Sequence, residues 1–130
     1  MPYSLSSHLD AAIFDPAQFD VLMELREEGD DDLLKEIVAQ FVHDSLALLH
    51  VLDTEVEAKN LPQVALAAHS MKGGTSTLGL MRATHFALQI ETAARSGEEG
   101  DLDRLRRLLD EAFAQGRQEM EKYAGRFWQP

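Results

Sequence analysis

The 130-residue chain contains no cysteine, few basic residues and no long run of apolar residues. Without cysteine it cannot form disulfide bonds or cysteine-ligated metal sites, which weakly favours a reducing compartment. Twelve Lys and Arg against 23 Asp and Glu give a net charge of −11, which argues against nucleic acid as a partner because phosphates bind basic surfaces. No apolar run is long enough to span a membrane, and Met1–Ser4 does not begin a signal peptide. We therefore expect a cytoplasmic protein whose partners are neither nucleic acid nor a membrane.

The chain also lacks a glycine-rich phosphate loop, a nucleotide-binding signature, strand-like alternation and a low-complexity linker. Its apolar content of 45% is ordinary for a globular protein. A chain of this length can bury a core as one domain, which we expect to cover residues 1–130. There is no room for a separate ATP-binding domain, so the sequence does not predict an autonomous kinase.

Apolar residues recur at helical spacing along one short and four long segments. The short helix is predicted to begin at Asp15–Pro16 and to end near Gly29. The second begins at the acidic run Asp30–Asp32, and Ser45 interrupts its apolar stripe, which predicts a bend or frayed turn near residues 43–46. The other three are predicted between Asn60 and Gly79, from Leu80 to Ser96, and from Asp101 onward.

Four long amphipathic helices with short connections predict an all-α fold, an antiparallel four-helix bundle over residues 16–124. The short first helix would cover one end of the bundle. Residues 1–14 and 127–130 are expected to be the least ordered parts of the chain.

The helix between Asn60 and Gly79 places His69 on its polar side. At about 100° per residue, His69 points roughly 140° away from the centre of the apolar stripe. Lys72 and Gly73 fall on the side of His69, one turn later. Gly73 and Gly74 are unfavourable there, since each glycine costs about 0.8–1 kcal/mol relative to alanine in a helix interior. An absent side chain at Gly73 leaves the histidine ring unobstructed, and Gly74 would let a neighbouring helix approach.

The stretch 69–80 resembles the motif of the histidine phosphotransfer (HPt) family, roughly His-x-hydrophobic-Lys-Gly-x-small-x-x-hydrophobic-Gly. The matching positions are His69, Met71, Lys72, Gly73, Leu78 and Gly79. Gly74 and Thr75 depart from the more usual serine and alanine or serine. The resemblance covers about residues 16–124, including the acidic start of the second helix and the stretch Leu88–Glu91.

The resemblance implies that His69 accepts a phosphoryl group in a multistep phosphorelay and that Lys72 stabilises the charge of the phosphate. The implied partners are the receiver domains of a hybrid sensor histidine kinase and of a response regulator. The chain itself would bind no cofactor and no metal, and Mg²⁺ would sit on the partner receiver domain. We expect a monomer that acts as a phosphotransfer intermediate. By spacing, the residues around His69 that would dock a receiver are Leu66, Ser70, Gly73, Ser76 and Thr77.

Glu91 is the next candidate for the site. If the helices before and after Gly79 form a hairpin, His69 lies about 15 Å and Glu91 about 18 Å from the corner, at 1.5 Å per residue. A carboxylate that accepts a hydrogen bond from Nδ1–H would fix the tautomer and leave Nε2 unprotonated. A similarly placed glutamate has this role in HPt domains of chemotaxis kinases. The alternative is that Glu91 is a solvated helix residue.

Two other functions compete with the phosphorelay carrier. One is an HPt-like module that binds a receiver domain without carrying phosphate, and the other is a structural helical bundle in a larger assembly. The intact pair of His69 and Lys72 favours the carrier over the first. A structural bundle gives no reason for Gly73 and Gly74 beside an exposed histidine. The chain is also compatible with a phosphotransfer domain cut from a longer kinase, although Met1 and the end at Pro130 weakly favour a free-standing protein.

Overall fold

The computed structural model describes residues 12–24 and 31–126, and helices account for most of them. Within those residues the helices are α1 (Pro16–Met23), α2 (Asp31–Glu57), α3 (Leu61–Leu78), α4 (Met81–Arg95) and α5 (Leu102–Ala124). Each of the four long helices packs against the next, and α5 returns to contact α2. The short connections reverse the chain each time, so the predicted all-α, antiparallel four-helix bundle is confirmed. None of the helices in the described part is long and apolar enough to cross a membrane.

The corner between α3 and α4 depends on Gly79. This residue ends α3 in the left-handed conformation with φ of 83°, which glycine adopts without strain. A Cβ at this position would lie 2.6 Å from the carbonyl oxygen of Asp15, so the close approach of the chain before α1 also requires glycine. The predicted end of the histidine-bearing helix is therefore confirmed, and its corner is fixed by tertiary contact as well as by conformation.

The core of the bundle is apolar and is contributed by all four long helices. Its largest fully buried side chains include Leu52, Met71, Ile90, Leu109 and Met120. Burying this apolar surface is the main source of stability, at about 25 cal/mol for each Å² removed from water.

The predicted frayed turn near residues 43–46 is not observed, because α2 is an uninterrupted helix from Asp31 to Glu57. Ser45 is buried, as is Val42. A Cβ on Gly74 would lie 3.7 Å from Ser45 Oγ and from a ring carbon of Phe41, an ordinary contact distance. The small side chain of Ser45 thus lies where α3 approaches α2, which is why a polar residue stands in the apolar stripe.

Helix α1 covers the end of the bundle at the corner of α3 and α4, as predicted, and it contacts α3 and α5. Its N-cap is Asp15, whose side chain accepts from the backbone N–H of Ala17. The predicted end near Gly29 lies outside the described residues, in which α1 ends at Met23.

Residues 12–14, the last part of the segment expected to be loosely ordered, contact the bundle, while the expectation for residues 1–14 as a whole stays a prediction. Ala12 accepts a hydrogen bond of 2.8 Å from the backbone N–H of Arg82, and the ring of Phe14 packs against Phe19 and Tyr123. These aromatic contacts pack the half-buried Phe14 against α1 and α5, which the periodicity of the later helices could not indicate. Residues 1–11 and 127–130 lie outside the described part of the chain.

Candidate functional site

His69 stands on the solvent side of α3, as predicted. Its side chain is 60% exposed, whereas Ala68, Met71 and Thr75 on the same helix are fully buried. The buried side of α3 is held against α4 by the hydroxyl groups of Thr75 and Thr84, whose oxygens are 2.8 Å apart. The ring of His69 is therefore presented to solvent by a helix whose opposite face is fixed in the core.

Glu91 reaches the histidine from the neighbouring helix α4. Its Oε2 lies 2.9 Å from Nδ1 of His69, and its side chain is only 9% exposed. The hairpin estimate of the two heights in the bundle is confirmed, and the alternative of a solvated Glu91 is excluded by its burial.

Two cations also contact the Glu91 carboxylate. Lys72 donates from Nζ to Oε1 at 2.9 Å, and its side chain is 30% exposed. Arg95 donates to Oε2 from Nε at 3.0 Å and from Nη2 at 2.9 Å. Arg95 was not among the residues predicted for the site, although the spacing of four residues from Glu91 to Arg95 on one helix is a known pattern for an ion pair.

These donors determine the protonation state of Glu91. Burial alone would raise the pKa of this carboxyl, but the hydrogen bonds from Lys72, Arg95 and His69 outweigh it and lower the pKa to about 2. An ionised carboxylate can only accept hydrogen bonds. The contact with His69 must therefore be a donation from Nδ1–H, and in the neutral form of the ring this tautomer carries its lone pair on Nε2.

The surface around His69 is partly apolar, and Gly73 contributes no side chain to it. Leu66 and Ser70 are exposed, and Ser76 and Thr77 are half-buried. The hydroxyl of Thr77 donates to the backbone carbonyl of Gly73 at 3.0 Å, so it is turned toward its own helix. A Cβ built on Gly73 would meet no other side chain of the described residues within 4 Å.

Metal ligands are not grouped at this site. Among residues 12–24 and 31–126, no three His, Asp or Glu side chains are placed to share a metal ion. That the chain binds neither a metal nor a cofactor stays a prediction.

Comparison with known proteins agrees with this geometry. Residues 36–119, more than half of the chain, match the model of the Hpt domain. The chain belongs to the Hpt domain family. An Hpt domain acts in a phosphorelay as a phosphotransfer intermediate.

Two relatives show how far the similarity extends. The crystal structure of histidine-containing phosphotransfer protein B from Pseudomonas aeruginosa PAO1 superposes with a TM-score of 0.77 at 26% identity, covering 87% of this chain and 95% of that one. Multistep phosphorelay regulator 1 of Schizosaccharomyces pombe is 27% identical over 73 residues, which are 56% of this chain. The match covers 25% of that relative, so the chain spans about a quarter of its length.

Proposed function

We propose that this Hpt domain accepts a phosphoryl group on Nε2 of His69 from the aspartyl phosphate of one receiver domain and passes it to another. The observation that supports this most directly is the hydrogen bond between Nδ1 of an exposed His69 and the buried carboxylate of Glu91. It orients the ring and keeps the proton on the nitrogen that does not react.

In the proposed transfer, the lone pair of Nε2 attacks phosphorus in line with the leaving aspartyl oxygen. The N–P bond forms while the P–O bond to the receiver aspartate breaks, and the aspartate leaves as a carboxylate. No proton has to move, because Nδ1 keeps its hydrogen. The ring thereby gains a positive charge, which the adjacent Glu91 carboxylate stabilises. The reverse step returns the phosphoryl group to an aspartate by the same path.

Lys72 is proposed to stabilise the negative charge on the phosphoryl group. Its ammonium has three donors and lies one helical turn from His69, where it is partly exposed. An ammonium group placed at a developing negative charge stabilises the transition state more than the ground state. It therefore lowers the barrier to transfer. The Mg²⁺ and the carboxylates that such a transfer also needs would come from the receiver domain.

The partners are proposed to be the receiver domains of a hybrid sensor kinase and of a response regulator. The docking surface would be the face of α3 formed by Leu66, Ser70, Gly73, Ser76 and Thr77. The chain is proposed to act as a monomer in the cytoplasm. Because it spans only a quarter of the S. pombe relative, these roles are argued from the site and not transferred from that protein.

The test is transfer from receiver domains labelled with acetyl phosphate, followed by detection of acid-labile phosphate on the chain. We expect the label on the peptide that contains His69 and its loss in His69→Gln. The matched control is His50→Gln, which changes an exposed histidine on α2 and should leave labelling intact. Binding of a receiver without any transfer would instead support the binding-only module. Labelling that persists in His69→Gln would refute His69 as the acceptor.

A further inference from the structure

The Glu91 carboxylate contacts more positive charge than it needs for neutrality. Within the described residues, both Lys72 and Arg95 form ion pairs of 2.9 Å with it. One cation would be enough to balance one carboxylate. Charge balance alone therefore does not account for the second cation.

The two cations occupy different oxygens of Glu91. Lys72 binds Oε1, whereas Arg95 binds Oε2, the oxygen that also accepts from Nδ1 of His69. Lys72 can therefore leave Oε1 while the bonds of Oε2 to the histidine and to Arg95 stay in place.

The two cations also differ in their attachment. Arg95 lies on α4 one turn after Glu91, so this pair is held within one helix. Lys72 lies on α3 beside His69, and its flexible side chain is the one that can turn toward Nε2.

An arriving phosphoryl group would compete with Glu91 for Lys72. Until the N–P bond forms and the ring of His69 becomes positive, withdrawing the only cation from the buried carboxylate would be strongly unfavourable, because its charge would be left without a partner in a poorly solvated place. With Arg95 on Oε2, Glu91 keeps a counter-ion throughout.

We propose that Arg95 is a positioning residue which holds the counter-charge on Glu91 and thereby allows Lys72 to move from Oε1 to the phosphoryl oxygens of His69. This inference rests on the proposed function of His69. It adds that Arg95 does not touch the phosphoryl group and that it acts through Glu91.

The test uses phosphoramidate, a small phosphoryl donor that needs no docking surface. Nε2 attacks its phosphorus, the P–N bond breaks, and the leaving nitrogen departs as ammonia after taking a proton from water. The rate is followed by mass spectrometry of the peptide that contains His69, at about pH 8.5, where a histidine of ordinary pKa is neutral. We expect Arg95→Ala to slow labelling about tenfold, the scale of one lost hydrogen bond to a charged group. The loss in labelling rate should not exceed the loss in Lys72→Ala. If Lys72 stays bound to Glu91 when Arg95 is absent, the phosphoryl group lacks Lys72 just as it does in Lys72→Ala.

The deciding measurement repeats the change in a Glu91→Gln background. The neutral amide needs no counter-ion, so Arg95→Ala should there alter the rate by less than about twofold. Arg95→Lys, which keeps a positive charge, should recover most of the rate in the wild-type background. An Arg95→Ala rate equal to wild type would overturn the proposal. A tenfold loss that persists in Glu91→Gln would overturn it as well, since Arg95 would then act on the phosphoryl group directly.

The matched control is Arg117→Ala on α5. Arg117 forms the same type of pair, donating to Glu121 four residues later at 2.8 Å, but Glu121 is exposed. The Arg117→Ala variant should be labelled at the wild-type rate. Circular dichroism and thermal melting check that each variant folds, and Arg95→Gln, which keeps most of the stem, carries the same expectations if Arg95→Ala does not fold. Failure of the proposed function would appear differently, as an absence of label on His69 in the wild-type chain.

Discussion

Replacing Gly73 with glutamine should weaken partner binding without lowering the stability of the fold. The position is exposed on α3, and a Cβ there would have open space among the described residues. Glycine is less favourable than glutamine in a helix interior by about 0.5–1 kcal/mol. Since a domain of this size gains roughly 4 °C in melting temperature per kcal/mol, Gly73→Gln should melt at the wild-type temperature or a few degrees above it.

The same substitution should weaken binding to a receiver domain. Gly73 lies one turn after His69 on the same face, so a glutamine side chain would stand where the partner must approach Nε2. We expect the dissociation constant measured by titration calorimetry to rise at least about tenfold, or roughly 1.4 kcal/mol. Phosphotransfer at low receiver concentration should fall with it.

The control for this prediction is Gly74→Ala. A Cβ there would point to α2 and lie 3.7 Å from Phe41 and Ser45, an ordinary contact distance. This variant should gain a similar stability and keep the wild-type affinity. An unchanged affinity of Gly73→Gln would refute the assignment of Gly73 to the docking surface. A variant that unfolds would show instead that Gly73 is required for packing.

Three further predictions test the groups around the ring. His69→Gln should abolish acid-labile labelling while the melting temperature stays within a few degrees of wild type, because the side chain is exposed; a large loss of stability would contradict this. Lys72→Ala should slow transfer at saturating receiver more than it weakens receiver binding, and equal transfer rates in variant and wild type would remove Lys72 from the mechanism. Glu91 has a pKa of about 2 in the folded chain against an ordinary 4.5, so its ionised form stabilises the fold above about pH 4.5 and this contribution is lost as the pH falls toward 2. The melting-temperature advantage of wild type over Glu91→Gln should therefore narrow between about pH 7 and pH 3, and a constant difference would refute the lowered pKa.

The helical pattern was sufficient to predict the bundle and the direction of His69. Each long helix buries a stripe with a period of 3.6 residues, and a residue opposite that stripe must face solvent. The proximity of His69 and Glu91 could be predicted from the helical rise alone. Because both helices meet at a short corner at Gly79, the distance of each residue from that corner gives its height in the bundle. These are properties of single helices and of one tight connection.

The remaining features depend on contacts between segments far apart in the chain. Ser45 reads as an interruption of the stripe until Gly74 is placed beside it from another helix. Ala12 and Phe14 read as part of a loose leader until Arg82 and Tyr123 are placed against them. Arg95 is the exception, since its spacing from Glu91 was visible, but an ion pair on one helix is usually a weak surface contact. Only the burial of Glu91 shows that this pair belongs to the site.

The net charge of the site is opposite in sign to the net charge of the chain. The whole chain carries −11, while Lys72, Arg95 and Glu91 with a neutral His69 ring sum to +1. Exposed charges more than about 10 Å away are largely screened at physiological ionic strength, so the distant part of the negative charge acts only weakly at the site. The positive charge beside His69 thus comes from two cations that a buried carboxylate holds in place, and not from a generally basic surface.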